Sequence, residues 1–308
     1  MKAVVIDGFG GVDQLHIQDV DNPPVGAGEV LVRVRATSVN PVDYKIRSDG
    51  ATAKRLGVEL PAILGRDLAG QVVHAGQGVT GFDPGMRVMG LANGTYAELT
   101  TVKADVLAPI PDKLSYEEAA ALPLVLLTGA QLIERAIKVE PGWRVLILGA
   151  VGSVGRSAVF VAQEHGAKII AGVHTSQMEE ARLLGPNDPE RFQIISTDDE
   201  KQFEQLHDLD AVADTVGGPT AARALKCLRD GGVFGTVIVP PPDAARRNIR
   251  VATLMAVPDA SRLYELADEV ARGNLKIPIA NTLPLVKVQQ AHREAENHPH
   301  GKIVLKAA

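Results

Sequence analysis

The chain has 308 residues, 45% of them hydrophobic and 22% charged, with a formal net charge of −5. That is the composition of an ordinary globular protein of about two domains, and its scattered Lys and Arg exclude a nucleic-acid or anionic-membrane surface as its organising feature. No apolar run approaches the ~18 residues of a membrane span. The start, MKAVVIDGFGG, reads as a strand rather than a signal peptide, and the single Cys227 leaves no intrachain disulfide. The expected compartment is the cytoplasm.

In chain order, residues 1–125 read as β-rich. Lys2–Ile6, Glu29–Val34, Gly70–Ala75, Arg87–Met89 and Tyr96–Val102 are short strand patterns between Gly, Pro and Asp turns, which suits a partly antiparallel barrel or sandwich. Ser115 with Glu118 three residues on reads as a capping box opening a helix through Ala119–Leu122, which Pro123 interrupts. A helical pattern resumes over Thr128–Ile137.

From Arg144 strand and helix alternate. Arg144–Leu148 is a short β-type run, followed by Gly149-Ala150-Val151-Gly152-Ser153-Val154-Gly155, a helical pattern stopped by Gly166, and a second strand over Lys168–Val173. This βαβ unit offers three glycines with separate tasks: the tight turn, backbone approach to a pyrophosphate, and packing of helix on strand. The free N–H groups and positive dipole end of the helix would face the phosphates. Further strand patterns at 192–195, 210–213 and 233–239 predict a doubly wound parallel sheet. Pro240-Pro-Pro-Asp marks a loop just past a strand's carboxyl end, where such sheets bind ligands. Arg262–Arg272 reads as an amphipathic helix ended by Gly273, and Leu275–Ala308 as two strands around a helix over Val286–Glu296. His292, His298 and His300 are expected on a solvated face of this tail.

Several stretches together resemble the zinc-independent quinone oxidoreductase branch of the medium-chain dehydrogenase/reductase superfamily. They are Val39-Asn-Pro-Val-Asp-Tyr-Lys-Ile-Arg, Gly65-Arg-Asp-Leu-Ala-Gly, Gly94-Thr-Tyr-Ala-Glu, Ala119-Ala-Ala-Leu-Pro with Leu127-Thr-Gly-Ala, the glycine turn, Asp214-Thr-Val-Gly-Gly and Gly301-Lys-Ile-Val-Leu. The resemblance covers nearly the whole chain. It implies an α/β fold: a β-rich GroES-like catalytic domain from 1–125 and 273–308, a Rossmann dinucleotide-binding domain over 126–272, and a cofactor cleft at their junction. It also implies a homodimer, paired edge to edge through the strand-like run Arg250–Val257.

In zinc-dependent members of the superfamily a Cys and a His–Glu pair stand where this chain has Asn40 and Arg66–Asp67. Amide and guanidinium groups are not zinc ligands, so no metal is expected. No acid follows the second strand of the βαβ unit, where NAD-selective units place one on the ribose; the stretch reads His174-Thr175-Ser176. Thr175 and Ser176 can donate to a 2′-phosphate and His174 can add charge, which favours NADPH over NADH; the Lys or Arg that often follows is replaced by Met178 and Glu179. The resemblance adds Thr128 as a nicotinamide contact, and Thr215, Val216, Gly217, Ile238 and Val239 at strand ends to the cofactor residues.

Without metal or flavin, the transferable group is a nicotinamide hydride, and its acceptor must be electron-poor: a quinone or an enone. Charge then develops on the acceptor oxygen and needs donors. Asn40, Tyr44 and Lys45 are those the active-site segment offers, Lys45 first. A trans-acting enoyl-thioester reductase and a non-catalytic dinucleotide sensor stay open as alternatives.

Overall fold

The computed structural model describes residues 1–246 and 248–307. The N-terminal strands are β1 (Lys2–Ile6), β2 (His16–Asp19), β3 (Glu29–Val39), β4 (Ala62–Ile63), β5 (Asp67–Ala75), β6 (Arg87–Leu91), β7 (Leu99–Lys103) and β8 (Leu107–Pro109). Helices α1 (Pro41–Ser48) and α2 (Gly50–Arg55) lie between β3 and β4, and α3 (Tyr116–Ala120) follows β8. Next come α4 (Pro123–Gln131), β9 (Arg144–Leu148), α5 (Ser153–Glu164), β10 (Lys168–Val173), α6 (Met178–Ala181), β11 (Phe192–Ser196), α7 (Glu200–Glu204), β12 (Leu209–Asp214), α8 (Gly218–Lys226), β13 (Leu228–Thr236) and β14 (Arg250–Thr253). The chain ends with α9 (Ala260–Arg272), β15 (Ile279–Pro284), α10 (Val288–Glu296) and β16 (Lys302–Lys306).

Two compact units result: Met1–Leu124 with Val257–Ala308, and Val125–Ala256. In the β-rich unit a seven-stranded sheet runs β15-β16-β3-β5-β6-β8, with β7 also on β3, beside a three-stranded sheet β2-β1-β4. The long strand β3 is its axis, because it is paired by β5, β7 and the C-terminal β16 along different parts of its length. Antiparallel pairing of β16 places Ile303 opposite Val39 and so carries Lys302 to the end of β3, next to Asn40.

The other unit is a six-stranded parallel sheet ordered β11-β10-β9-β12-β13-β14. Strand order reverses beside β9, the topological switch point at which such sheets bind dinucleotides. Leu146, Leu148, Val212 and Phe234 pack beneath α8 as part of its core. This α/β architecture, a Rossmann sheet with a β-rich GroES-like partner, is the fold class expected.

Three boundaries differ from the sequence reading, each for a physical reason. Pro123 opens α4 instead of interrupting a helix, since the first helical position needs no N–H. Strand β13 ends at Thr236, so Ile238 and Val239 lie in the loop beyond it. Helix α9, expected within 126–272, belongs to the β-rich unit, where it packs on β8 and buries Leu263, Leu266 and Ala267. Among the described residues no helix is long and apolar enough to cross a membrane.

Candidate functional site

The glycine turn follows β9 directly. Gly149 sits at φ +71°, a left-handed conformation that L side chains rarely adopt, and a Cβ there would also meet Thr215 Oγ1 at 2.7 Å. Gly155 is held by packing: a Cβ would come within 2.1 Å of the Gly149 carbonyl oxygen. Gly152 is the N-cap of α5, in extended conformation with no side-chain cap, and its added Cβ would meet only the Gly149 oxygen at 3.2 Å. The turn therefore leaves open the position where a phosphate reaches the N–H groups heading a twelve-residue helix. Arg156, in the first turns of α5, is buried and pairs with Glu180 while donating to the Val151 carbonyl at 2.9 Å.

Other expected cofactor residues gather on the same carboxyl edge. Thr215 donates to the Leu148 carbonyl (2.7 Å), fixing the turn after β12 beside the glycine turn. The buried Asp214 holds that turn by accepting the N–H groups of Val216 (3.0 Å) and Gly217 (2.8 Å) and the Thr236 hydroxyl (2.9 Å). Ile238 lies against Gly217, whereas Val239 is 79% exposed. Thr128 is buried on α4, which packs so closely on α5 that a Cβ at Gly129 would lie 2.5 Å from Ser157 Cβ.

The end of β10 carries the largest difference from expectation. Asp198, beyond the neighbouring β11, accepts the Thr175 N–H at 2.8 Å and contacts His174 Nδ1 at 2.8 Å. The Thr175 hydroxyl is taken by Ser196 Oγ at 2.6 Å. The Thr175 N–H and then the His174 ring hold the exposed Asp198 carboxyl below its usual range. An acid thus stands beside the end of β10, supplied from beyond the adjacent strand, and both the N–H and the hydroxyl of Thr175 are engaged within the protein.

In the β-rich unit α1 begins at Asn40, where Asp43 accepts the Asn40 N–H at 2.8 Å and Pro41 takes the first helical position. The helix carries all the remaining polar candidates. Lys45 is exposed and forms no ion pair among the described residues. Tyr44 is half-buried against the Val4–Leu305 core, and burial, then Glu296, raise its pKa. Asn40 is buried and committed: Nδ2 donates to Asp67 (2.7 Å) and Oδ1 accepts the Lys302 ammonium. Lys302 also donates to the Val39 carbonyl (3.2 Å) and lies 3.5 Å from Asp67. Asp67 in turn accepts from Ser38 Oγ (2.5 Å) and the Leu124 N–H (2.7 Å).

A zinc ion does not fit here. Thiolate, imidazole and carboxylate are its usual ligands, and the matching positions hold an amide, the Arg66 guanidinium and a carboxylate already filled by three donors and an ammonium. Among the described residues no group of three His, Cys, Asp or Glu is placed to hold a metal.

Sequence reasoning missed a second buried network. His292 lies fully buried instead of on a solvated face, with Nδ1 3.1 Å from Arg47 Nη1, its ring edge-on to Tyr96 at 5.8 Å, and Tyr96 donating to Asp43 at 3.1 Å. Its burial follows from α10, whose apolar face repeats at Val288, Ala291 and His292. Burial, reinforced by Asp67, pushes Asp43 from 3.8 up to about 7. Burial and Arg47 push His292 from 6.5 down to about 3. The raised acid favours folding at low pH, and that contribution is lost as pH rises from 3.8 to about 7. The depressed base has the opposite sign: its contribution is complete above 6.5 and is lost as pH falls toward about 3. Asp43→Asn is therefore expected to gain on wild type as pH rises between these values, whatever its constant offset. Melting temperatures of the two proteins across that range check this, and a gap that does not change with pH would refute it.

The sequence matches the Alcohol dehydrogenase GroES-like domain over residues 26–112 and the Zinc-binding dehydrogenase family over residues 192–305. It is 30% identical to "NAD(P)H oxidoreductase RTN4IP1, mitochondrial" of Mus musculus, over 99% of this chain and 89% of that protein. Among solved structures, the quinone oxidoreductase from Coxiella burnetii superposes with a TM-score of 0.88 at 30% identity, covering 100% of this chain and 99% of that one. Mycobacterial Rv1454c complexed with NADPH superposes with a TM-score of 0.83 at 26% identity, with 99% of each chain covered. With its glycine turn at the switch point and this likeness along its whole length, the chain belongs to the quinone oxidoreductase branch of the medium-chain dehydrogenase/reductase superfamily of oxidoreductases.

Proposed function

We propose that the protein is a metal-free reductase that passes a hydride from NADPH to a quinone or to the β-carbon of an enone. The observation that carries this reading is the open glycine turn at the head of α5, in a chain whose metal-ligand positions hold Asn40 and Asp67 tied to Lys302. A bound nicotinamide supplies the hydride; the chain's residues bind, orient and polarise. Gly149, Gly152 and Gly155 admit the pyrophosphate to the α5 N–H groups, and Thr215, Gly217 and Ile238 border the same edge. Lys45, whose ammonium has no ion-pair partner among the described residues, is the donor offered to the acceptor oxygen, a role that Asn40 cannot share while its amide is committed to Asp67 and Lys302. Oxidation of NADPH and NADH by chelator-treated protein, with and without a small quinone and an enone, tests the reading. Turnover that needs added zinc, or no turnover with either acceptor, would refute it.

Lys45→Met is expected to lower kcat and kcat/KM together by about 10-fold, roughly 1.4 kcal/mol, as an interaction made mainly in the transition state does. Unchanged turnover with both acceptors would return Lys45 to the role of a surface cation.

The NADPH-complexed relative supports the choice of cofactor, and Asp198 limits it. A carboxylate beside Thr175 accepts a ribose hydroxyl and repels a 2′-phosphate, so the wild-type preference for NADPH is expected to be small. Asp198→Asn should widen it about 10-fold, as removal of one nearby like charge does. Dissociation constants for both dinucleotides check this; an unchanged ratio would place the ribose elsewhere. The exposed edge strand β14 is the surface we propose for a homodimer, and light scattering reads that state.

A further inference from the structure

The most unusual group in the β-rich unit is the Lys302 ammonium. It is buried among three oxygens: it donates to the Val39 carbonyl (3.2 Å) and to Asn40 Oδ1, and it forms an ion pair with the Asp67 carboxylate at 3.5 Å. An ammonium has three donors and no acceptor, and this cage gives it two hydrogen bonds and a carboxylate counter-charge. Asp67 is equally well served, by Ser38 Oγ, Asn40 Nδ2 and the Leu124 N–H. Such a pair is retained only where hydrogen bonds compensate the loss of water around both charges, and here they do.

We infer that Lys302 is a positioning residue, whose task is to hold Asn40 and the head of α1. The ammonium fixes which way the Asn40 amide points, Oδ1 to Lys302 and Nδ2 to Asp67. Asn40 is the N-cap of the helix that carries Tyr44 and Lys45. Lys302 reaches it from β16, 262 residues later in the chain, so the C-terminal strand closes the cage that the N-terminal strands begin.

Lys302 is on this reading a positioning residue, and the test separates that role from simple packing. Lys302→Met keeps the length of the side chain and removes the charge, and Lys302→Ala leaves the cage with room for a small ammonium ion. Both variants are expected to melt at least about 5 °C lower than wild type, because a buried carboxylate loses its partner. Both should lose about 10-fold in kcat, the range typical when a partner that orients a site residue is removed, while dinucleotide affinity stays within about twofold. Methylammonium chloride should raise the melting temperature and kcat of Lys302→Ala. Tetramethylammonium chloride at equal ionic strength, which has no N–H to donate, should not, and wild type should respond to neither. If Lys302→Ala does not fold, its refolding yield in the two salts gives the same comparison.

Wild-type melting temperature and kcat in Lys302→Met would overturn the proposal, as would equal effects of the two salts on Lys302→Ala. The kcat arm rests on the proposed reductase activity. The melting and refolding arms do not, so a protein inactive toward every acceptor would refute that activity and still report on the cage.

Discussion

Gly152→Val is expected to abolish dinucleotide binding while leaving the fold in place. Gly152 has φ −68° and ψ 160°, an extended conformation that valine adopts readily, and its Cβ would meet no atom closer than 3.2 Å. The branched side chain would instead occupy the space through which a pyrophosphate reaches the α5 N–H groups. Loss of that contact should weaken NADPH and NADH alike by at least about 100-fold, or about 2.7 kcal/mol. Gly155→Ala is the contrasting variant. Its Cβ would lie 2.1 Å from the Gly149 oxygen and 2.8 Å from Ala150 Cα, both backbone atoms, so the added methyl strains the fold itself. Calorimetric titration with melting curves separates the two. Tight binding by Gly152→Val would mean that the phosphates do not approach this turn.

Asp67→Ala has the largest expected effect on stability. It would remove the acceptor of Ser38, Asn40 and the Leu124 N–H, and leave the Lys302 ammonium buried with carbonyl oxygens alone. Breaking a buried pair from one side typically costs about 3–5 kcal/mol, whereas replacing both partners by apolar groups is often neutral. The double variant Asp67→Leu with Lys302→Met should therefore be more stable than Asp67→Ala alone. Differential scanning calorimetry decides this, and a double variant less stable than Asp67→Ala would show that the unpaired Lys302 ammonium is not what makes the single change costly.

The glycine turn was legible in the sequence because backbone geometry at Gly149 and close packing at Gly155 leave little choice of residue. The parallel sheet was legible for a similar reason: strands buried on both faces read as unbroken apolar runs such as residues 145–148 of β9. Helix α1 was announced by Asn40-Pro41 with Asp43 three residues past the cap, a signal outweighed by the β-rich pattern around it. Burial of His292 was also readable, since it shares helical spacing with Val288 and Ala291.

What the sequence did not disclose depends on partners far along the chain. Asp198 meets Thr175 only because β11 lies beside β10, 23 residues on. Lys302 meets Asn40 only because β16 pairs with β3. Local propensity carries no trace of either meeting. Asn40 therefore reads from sequence as a free donor, and the structure shows its amide fully engaged.

The most direct measurement follows a deuterium placed at C4 of the reduced nicotinamide, with chelator-treated protein and an enone acceptor. The expected result is transfer of the deuterium to the β-carbon of the product, from a single face of the nicotinamide, with the α-hydrogen drawn from solvent. Product formed without the label at the β-carbon, or reduction that stops on chelation, would contradict metal-free hydride transfer by this chain.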